Sequence, residues 1–458
     1  MAKKIIGSDT AKIYKTASGR DVHVTFYWGD EVDVVSTPTN GRPKIKFRMG
    51  GATVDAFLGK DVTFTDDKPL KVRFIDVGQG DGAIVETPSG KLLLVDGGEQ
   101  GHLRNYLGTV FPTSVAIDTI VVTHGDADHF AGLTKLLSNQ PPKVTVERVF
   151  HNGLAKRPSK KGNKTRPDEE MFGATTEKQG ALYCTELVDD LRTVPDTELN
   201  EFFQDWKKAL NSVKKANGQK PAVKRLAAGA DFKLYENEGL KVDVLGPVEE
   251  IVGGKPGLKM LHASAQSSSY SDSHTVNGHS VVLRMTYGNV RFLFAADLNE
   301  ESEDLLLGTN AKLEAEVLKV PHHGSADFSR PLLEAVAPIV SIVSSGDESA
   351  VKDYIHPRAI LVGALGHASR SATPLILVTE MVAFFGNLSQ ADKDKAKAAG
   401  IASAHRLCRK DQFGIVHART DGKRLLIVTR GAKADGIEAY AYTVDAAHNV
   451  KPVTVTSA

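Results

Sequence analysis

Four side chains able to bind a divalent cation fall close together in Thr123-His124-Gly125-Asp126-Ala127-Asp128-His129: His124, Asp126, Asp128 and His129. They follow the apolar run Ile117–Thr123, which reads as a buried strand, and precede a helical pattern through Leu137. A strand-to-helix turn can fan such side chains into one pocket. Imidazole nitrogens with carboxylate oxygens suit zinc, manganese or iron. A polar turn that merely caps a helix, with Asp128 at its N-cap, would explain one aspartate. It does not explain two histidines and two aspartates at this spacing.

Other strands end in residues of the same kind. Asp297 follows Phe292-Leu293-Phe294-Ala295-Ala296, so a buried strand delivers it to a loop. A carboxylate there could bridge two metal ions, which in dinuclear hydrolases sit ~3.5–4 Å apart. Asp96 ends Lys91–Val95 and precedes Gly97-Gly98, where it could orient a ligand histidine from behind. Taken alone, each aspartate is as readily a turn residue. His322-His323 follow the strand Val317–Val320 and Pro321. One is expected to be a ligand and the other to pack or act as an acid. Spacing leaves the choice open, with His323 preferred.

The elements that must position these residues alternate strand and helix. After a turn at Gly78–Gly82, a hairpin of Ala83–Glu86 and Lys91–Val95 leads to a helix over His102–Val110, the Ile117–Thr123 strand and a strand over Lys143–Phe150. Strands are then expected at Phe232–Tyr235 and Leu240–Leu245, with a hairpin of Ser280–Tyr287 and Asn289–Ala295. A helix from Asn299 and strands at Ala315–Val320 and Pro338–Ser344 complete a second half. Residues 154–226 interrupt the pattern. Their first part, 156–166, is basic and turn-rich and reads as a flexible loop. Leu182 to Lys215 carries helical patterning. Residues 1–66 read as a small β module, possibly SH3-like or a cap on the main domain. Residues 70–400 form the main α/β domain, and 401–458 a β tail packed on it.

Composition sets the limits. Hydrophobic residues at 41% and charged residues at 25% are enough for a sizeable core. A net charge of +1 excludes a global field for nucleic acid or anionic membrane, so an anionic substrate needs a local basic patch or a metal. Two distant cysteines, Cys184 and Cys408, exclude a disulfide framework and a four-cysteine zinc site. The apolar runs are far shorter than the ~20 residues of a membrane helix. No signal peptide is read at the start, and a soluble cytoplasmic protein is expected.

These motifs resemble the metallo-β-lactamase superfamily, whose signature is His-x-His-x-Asp-His after an apolar strand. They are most similar to its ComEC-like competence branch. Asp76–Asp81, Val95–Gly98, His124–His129, Leu245–Pro247, Asn277–Leu283 and His322–Ser325 match that branch's motifs in order, and Tyr354-Ile355-His356-Pro357 resembles its Tyr-Gly-His-Pro. The resemblance implies a four-layer αββα metallo-β-lactamase sandwich with metal at the edge of its two sheets. It implies that His124, Asp126, Asp128, His129, Asp297 and one of His322 and His323 hold the metal, zinc or manganese, as two ions. Asp81, Asp96 and Asn277 would stand behind the ligands. Asp126 stands where the superfamily has histidine. The superfamily's histidine before the later hairpin is also missing, although His279 could restore it or could be an exposed hairpin residue. No counterpart of the competence proteins' membrane channel is read in this sequence, and DNA import is not expected from the resemblance.

The expected chemistry is hydrolysis by a metal-bound hydroxide, with Asp128 holding both metal and water. His356, Arg358 or Ser325 would contact substrate. The Gly78–Gly82 loop could cradle an anion, though Gln79 and Asp81 more simply fix a tight turn. Phosphodiesters, DNA or RNA, are the first choice of substrate, held by the cations of 156–166. A small-molecule ester, lactone or phosphoester hydrolase is the second reading, with 167–216 as a lid. A metal-binding regulatory protein that recruits a partner through the N-terminal module is the third.

Overall fold

Apolar runs bounded by glycine and aspartate turns build two facing sheets. The computed structural model describes residues 2–39, 41–49, 52–138, 141–264, 267–346, 356–384, 391, 408–412, 414–431 and 436–458. In the first sheet the strand order is Ala222–Arg225, Lys143–His151, Ser114–Val121, Leu92–Val95, Ala83–Glu86, Leu70–Phe74, Val416–Thr420, Arg424–Arg430, Ile437–Val444 and Val450–Val453. In the second it is Leu240–Gly246, Val282–Tyr287, Val290–Phe294, Val317–Lys319, Val340–Val343 and Leu375–Val378. Side chains from both sheets, among them Val72, Val95, Leu283, Phe292 and Val340, form one buried core. The Phe74 and Phe294 rings stack across it at 5.7 Å.

A helical layer covers each outer face. Leu103, Leu107, Phe130, Leu133, Phe203 and Trp206 pack on the first sheet, and Leu306, Leu332, Leu333 and Leu361 on the second. The result is the αββα sandwich, with a β module of seven strands between Ala2 and Thr65 added in front. Trp28 of that module packs against Leu426, Val428 and Ala441 of the tail strands. Arg424 grips Asp9 at 2.6 Å and Arg419 pairs with Asp30 at 2.9 Å. The backbone of Thr10 bonds to Thr456 and Ala458.

Register brings the functional strand ends together. Val95, Val121 and Phe150 are in line across three parallel strands of the first sheet. Phe294, Lys319 and Ile342 are in line across the second. The residues just beyond each line therefore meet at one edge of the sandwich. These are Asp96 and Thr123-His124 from one sheet, and Asp297, His322-His323 and Ser344 from the other.

Three expectations change. Phe232–Tyr235 is not a strand; Phe232 and Tyr235 are buried in the core of an irregular segment before a 3-10 turn at Glu236–Glu238. Of the helical span over Leu182–Lys215, only Glu201–Ser212 is an α-helix. Ala181–Cys184 is a strand paired with Lys255–Lys259, and 3-10 turns at Leu191–Thr193 and Asp196–Glu198 separate the two. Proline at 195 and short polar residues break the helical period there. The 156–166 stretch is not a free loop. Lys160–Lys161 and Lys164–Thr165 pair as a small hairpin, and four of the six cations of 156–166 meet carboxylates. Lys156 meets Asp272 at 2.7 Å, Arg157 meets Glu186 and Glu198, and Lys161 and Arg166 meet Glu170. Tyr354-Ile355 and the expected junction near 400 lie outside the described residues. Among the described residues no helix is long and apolar enough to cross a membrane.

Candidate metal centre

The turn after Val121 and the helix Ala127–Ser138 present the first donors. Thr123, His124 and His129 are buried, whereas Asp126 and Asp128 are half-buried. Gly80 makes the neighbouring turn possible. Its φ of 110° is a conformation other residues avoid, and a Cβ there would strike the carbonyl of Asp128. Asp81 N–H can therefore approach that carbonyl, at 3.3 Å.

Asp297 is the hub. Its Oδ2 lies 3.1 Å from His129 Nε2, 3.0 Å from His323 Nε2 and 3.9 Å from His124 Nε2. Asp128 Oδ2 lies 3.3 Å from His323 Nε2. Donor atoms of Asp128, His129, Asp297 and His323 all fall within 4.8 Å of one another.

The back of each imidazole is anchored. His129 Nδ1 is 2.8 Å from Asp96 Oδ2, and Asp96 also accepts the Thr123 N–H at 2.8 Å and hydroxyl at 2.6 Å. His323 Nδ1 is 3.0 Å from the Ser344 carbonyl and 3.2 Å from Asp81 Oδ1. His124 Nδ1 faces the hydroxyls of Thr123 and Ser280, at 3.1 and 3.2 Å. With the Nδ1 protons of His129 and His323 donated backward, their Nε2 lone pairs point into the group.

The four residues fit a metal. His129 Nε2, His323 Nε2 and Asp297 Oδ1 are buried without a hydrogen bond of acceptable geometry. Such orphaned atoms are costly unless something binds them. Three of the six donor separations are 3.0–3.3 Å and the rest lie within 4.8 Å, close enough for one cation to be shared. Charge agrees. Burial opposes charge on His129 and His323, but Asp297 and the carboxylate behind each ring outweigh it and hold both imidazoles well above their usual pKa. Burial likewise opposes ionisation of Asp297, and these two histidines outweigh it. Protons thus balance the carboxylates where a cation would.

The backbone is strained here. Of eight described non-glycine residues with positive φ, four are Asp96, Ala296, His322 and His323. Each such residue costs of order 1–3 kcal/mol and persists only where its surroundings enforce it. The strain at 322 and 323 separates the paired imidazoles. His323 turns inward, 2% exposed. His322 turns toward the rim, with its ring 6.4 Å from that of His356. His322 does not join the four-donor group.

His124 and Asp126 lie beside the group rather than in it. Burial lowers the His124 pKa to about 3. Burial also raises Asp126 to about 6, against the pull of Lys156. Asn277 sits between Asp126 and His322. Its amide is 3.4 Å from His322 Nε2, and with the amide oriented by its neighbours its nitrogen donates to Asp126 Oδ2 at 2.9 Å. An amide thus stands between the Asp126 carboxylate and the His322 imidazole. Asn277→His is therefore expected to tighten binding of a second Mn2+ or Zn2+ about tenfold or more, a ligand-level effect. Calorimetric titration of metal-free protein checks this, and an unchanged second equivalent would refute it.

His279 is a correction. It is neither a ligand nor an exposed hairpin residue, but caps the helix Asp272–Gly278, 2% exposed, with Nε2 2.6 Å from the Lys259 carbonyl. The helix it ends points its ring away from the strand edge. Ser325 secures its own turn, its hydroxyl accepting from Asp327 N–H at 3.2 Å. The Arg358 backbone N–H donates to Gly324 O at 2.8 Å, beside the histidine turn. The residues not foreseen are Thr123, Ser280 and Ser344, plus Lys319, whose ammonium meets Asp81. A lysine inside an apolar strand was the available signal for the last, because lysine is almost never fully buried without a partner.

The sandwich, the strand-edge donors and their backing carboxylates define a metallo-hydrolase-like fold. Residues 75–340, over half of the chain, match the metallo-beta-lactamase superfamily, and the chain belongs to it. It is also similar to ComE operon protein 3 of Bacillus subtilis (strain 168), 30% identical over 112 residues, which are 24% of this chain and 14% of that protein. The match thus spans about a seventh of that relative's length.

Proposed function

We propose that this protein is a metal-dependent hydrolase of phosphodiesters, nucleic acid being the substrate to test first, with zinc or manganese at the centre. The observation that carries this reading is the convergence of Asp128, His129, Asp297 and His323, with both histidine Nε2 atoms buried and without a well-formed hydrogen bond. The ComEC-like resemblance favours phosphodiesters among the substrates such a centre could take. A bound divalent cation lowers the pKa of water toward neutrality and offsets charge on a phosphoryl oxygen.

The chain's own residues do the rest. Asp297 and Asp128 supply the anionic donors, and Asp96 and Asp81 hold the imidazoles in the tautomer that leaves Nε2 free. His322 and His356 stand at the rim. Burial lowers both, His356 to about 4, so each is neutral at pH 7 and can donate one N–H to a substrate oxygen. Lys156, paired with Asp272, stands near enough to Asp126 to act on its charge.

The internal pairing of four of the six cations of 156–166 favours one rival, a small-molecule ester, lactone or phosphoester hydrolase, because a long nucleic acid track needs cations free for phosphates. Incubation of purified protein with single- and double-stranded DNA, RNA and small chromogenic esters, with Mn2+ or Zn2+, separates the two. Cleavage of nucleic acid that falls at least a hundredfold in His129→Ala supports the proposal. Turnover of small esters alone refutes its substrate class.

A further inference from the structure

Behind the four-donor group lies a second set of donors. Atoms of Asp81, Asp96 and His129 also fall within 4.8 Å of one another, and all three residues are buried. His129 faces both sets, with Nδ1 toward Asp96 and Nε2 toward Asp297. A small cavity adjoins the inner set, lined by Asp81, Asp96, Thr123, Lys319 and Ser344. Lys319 ends the strand Val317–Lys319, and its side chain is 5% exposed. Its ammonium contacts the Asp81 carboxylate and has no well-formed hydrogen bond. An ammonium has three donors and no lone pair, so it can balance carboxylates without taking an imidazole nitrogen as a metal would.

We propose that Lys319 is a built-in cation, which balances Asp81 beside Asp96 and thereby keeps divalent metal out of this inner set. A metal in the inner set would compete for His129 Nδ1 and break its bond to Asp96. The other nitrogen would then lose the orientation that the outer centre needs. A fixed lysine prevents this at every metal concentration. It acts as a positioning residue, because it touches the centre only through Asp81. The inference rests on the outer set being a metal centre.

The test counts ions. Wild type, Lys319→Ala and Lys319→Met are stripped with chelator, dialysed to equilibrium against Mn2+, and analysed for metal per chain. Lys319→Ala, which vacates both charge and space, is expected to hold one more Mn2+ than wild type. Lys319→Met, which removes the charge but fills the space, is expected to hold the wild-type number. Thermal melts give a second readout if Lys319→Ala is poorly folded without metal. Its Tm is expected to rise with Mn2+ by more than that of wild type, because an extra bound ion adds its own stabilisation. A Lys319→Ala protein with the wild-type metal count, or with an equal Mn2+ shift in Tm, overturns the proposal and leaves Lys319 a packing residue. Wild type that binds no Mn2+ or Zn2+ would instead refute the metal centre itself.

Discussion

Asp297→Asn is expected to lose tight metal binding, with affinity down more than about a hundredfold and hydrolysis below about a hundredth of wild type. Its Oδ2 lies 3.0–3.9 Å from ring nitrogens of His323, His129 and His124. An amide of the same shape keeps the packing but removes the anion. Thermal melts read the loss directly. A ligand at a hundred times its Kd stabilises by about 2.7 kcal/mol, so added metal should raise the wild-type Tm and leave that of Asp297→Asn unmoved. An equal shift in both would refute the hub role.

The same substitution has a signature without metal. In chelator, His129 and His323 have folded pKa values well above 6.5, mainly because Asp297 outweighs their burial. Groups raised in this way contribute stability that is fully present below the unfolded pKa of about 6.5 and is lost as pH rises through the folded values. Metal-free wild type should thus lose stability as pH rises above about 6.5, and Asp297→Asn should show a flatter profile over that range. Metal must displace those protons, so its affinity for wild type should rise with pH. Melts and metal titrations between pH 6 and 9 check both slopes.

Asp96→Asn is expected to cost about 10–100-fold in metal affinity, an effect transmitted through a histidine rather than by a lost ligand. Asp96 accepts three hydrogen bonds, two from Thr123 and one from His129 Nδ1. An amide nitrogen facing that ring would move the imidazole proton to Nε2, where it blocks the metal. The backbone should not confuse the result. Asp96 has φ of 57°, a conformation asparagine tolerates better than most residues. Nitrogen NMR of the His129 ring distinguishes the tautomers. If the Nδ1-protonated form persists in Asp96→Asn while metal affinity is unchanged, the orienting role is wrong.

Much of this molecule is legible from local pattern. The helix over His102–Val110 and the strands ending near Val95, Val121 and Phe294 follow from apolar periodicity. The His124–His129 turn is legible because a strand hands it directly to a helix. Asp96, Asp297 and the 322–323 pair are legible as candidates because strands of a parallel sheet deliver their ends to one edge. Irregular segments were less so. Phe232 and Tyr235 alternate as a strand would, yet they serve as core residues of a turn, because burial rather than backbone pairing sets their place.

The rest is decided only in three dimensions. Two adjacent histidines look alike in sequence, and a left-handed backbone at both sends one inward and the other to the rim. Asn277 meets Asp126 from a helix 150 residues away, Lys319 meets Asp81 across the two sheets, and His279 is drawn to the Lys259 carbonyl instead of the donors. Lys156, Arg157, Lys161 and Arg166 look free in sequence and find carboxylates in the fold. Each of these outcomes depends on side-chain direction and on long-range pairs of charges or hydrogen bonds. Residue type and spacing carry the donor chemistry, but they do not say which way a buried side chain points or what answers its charge.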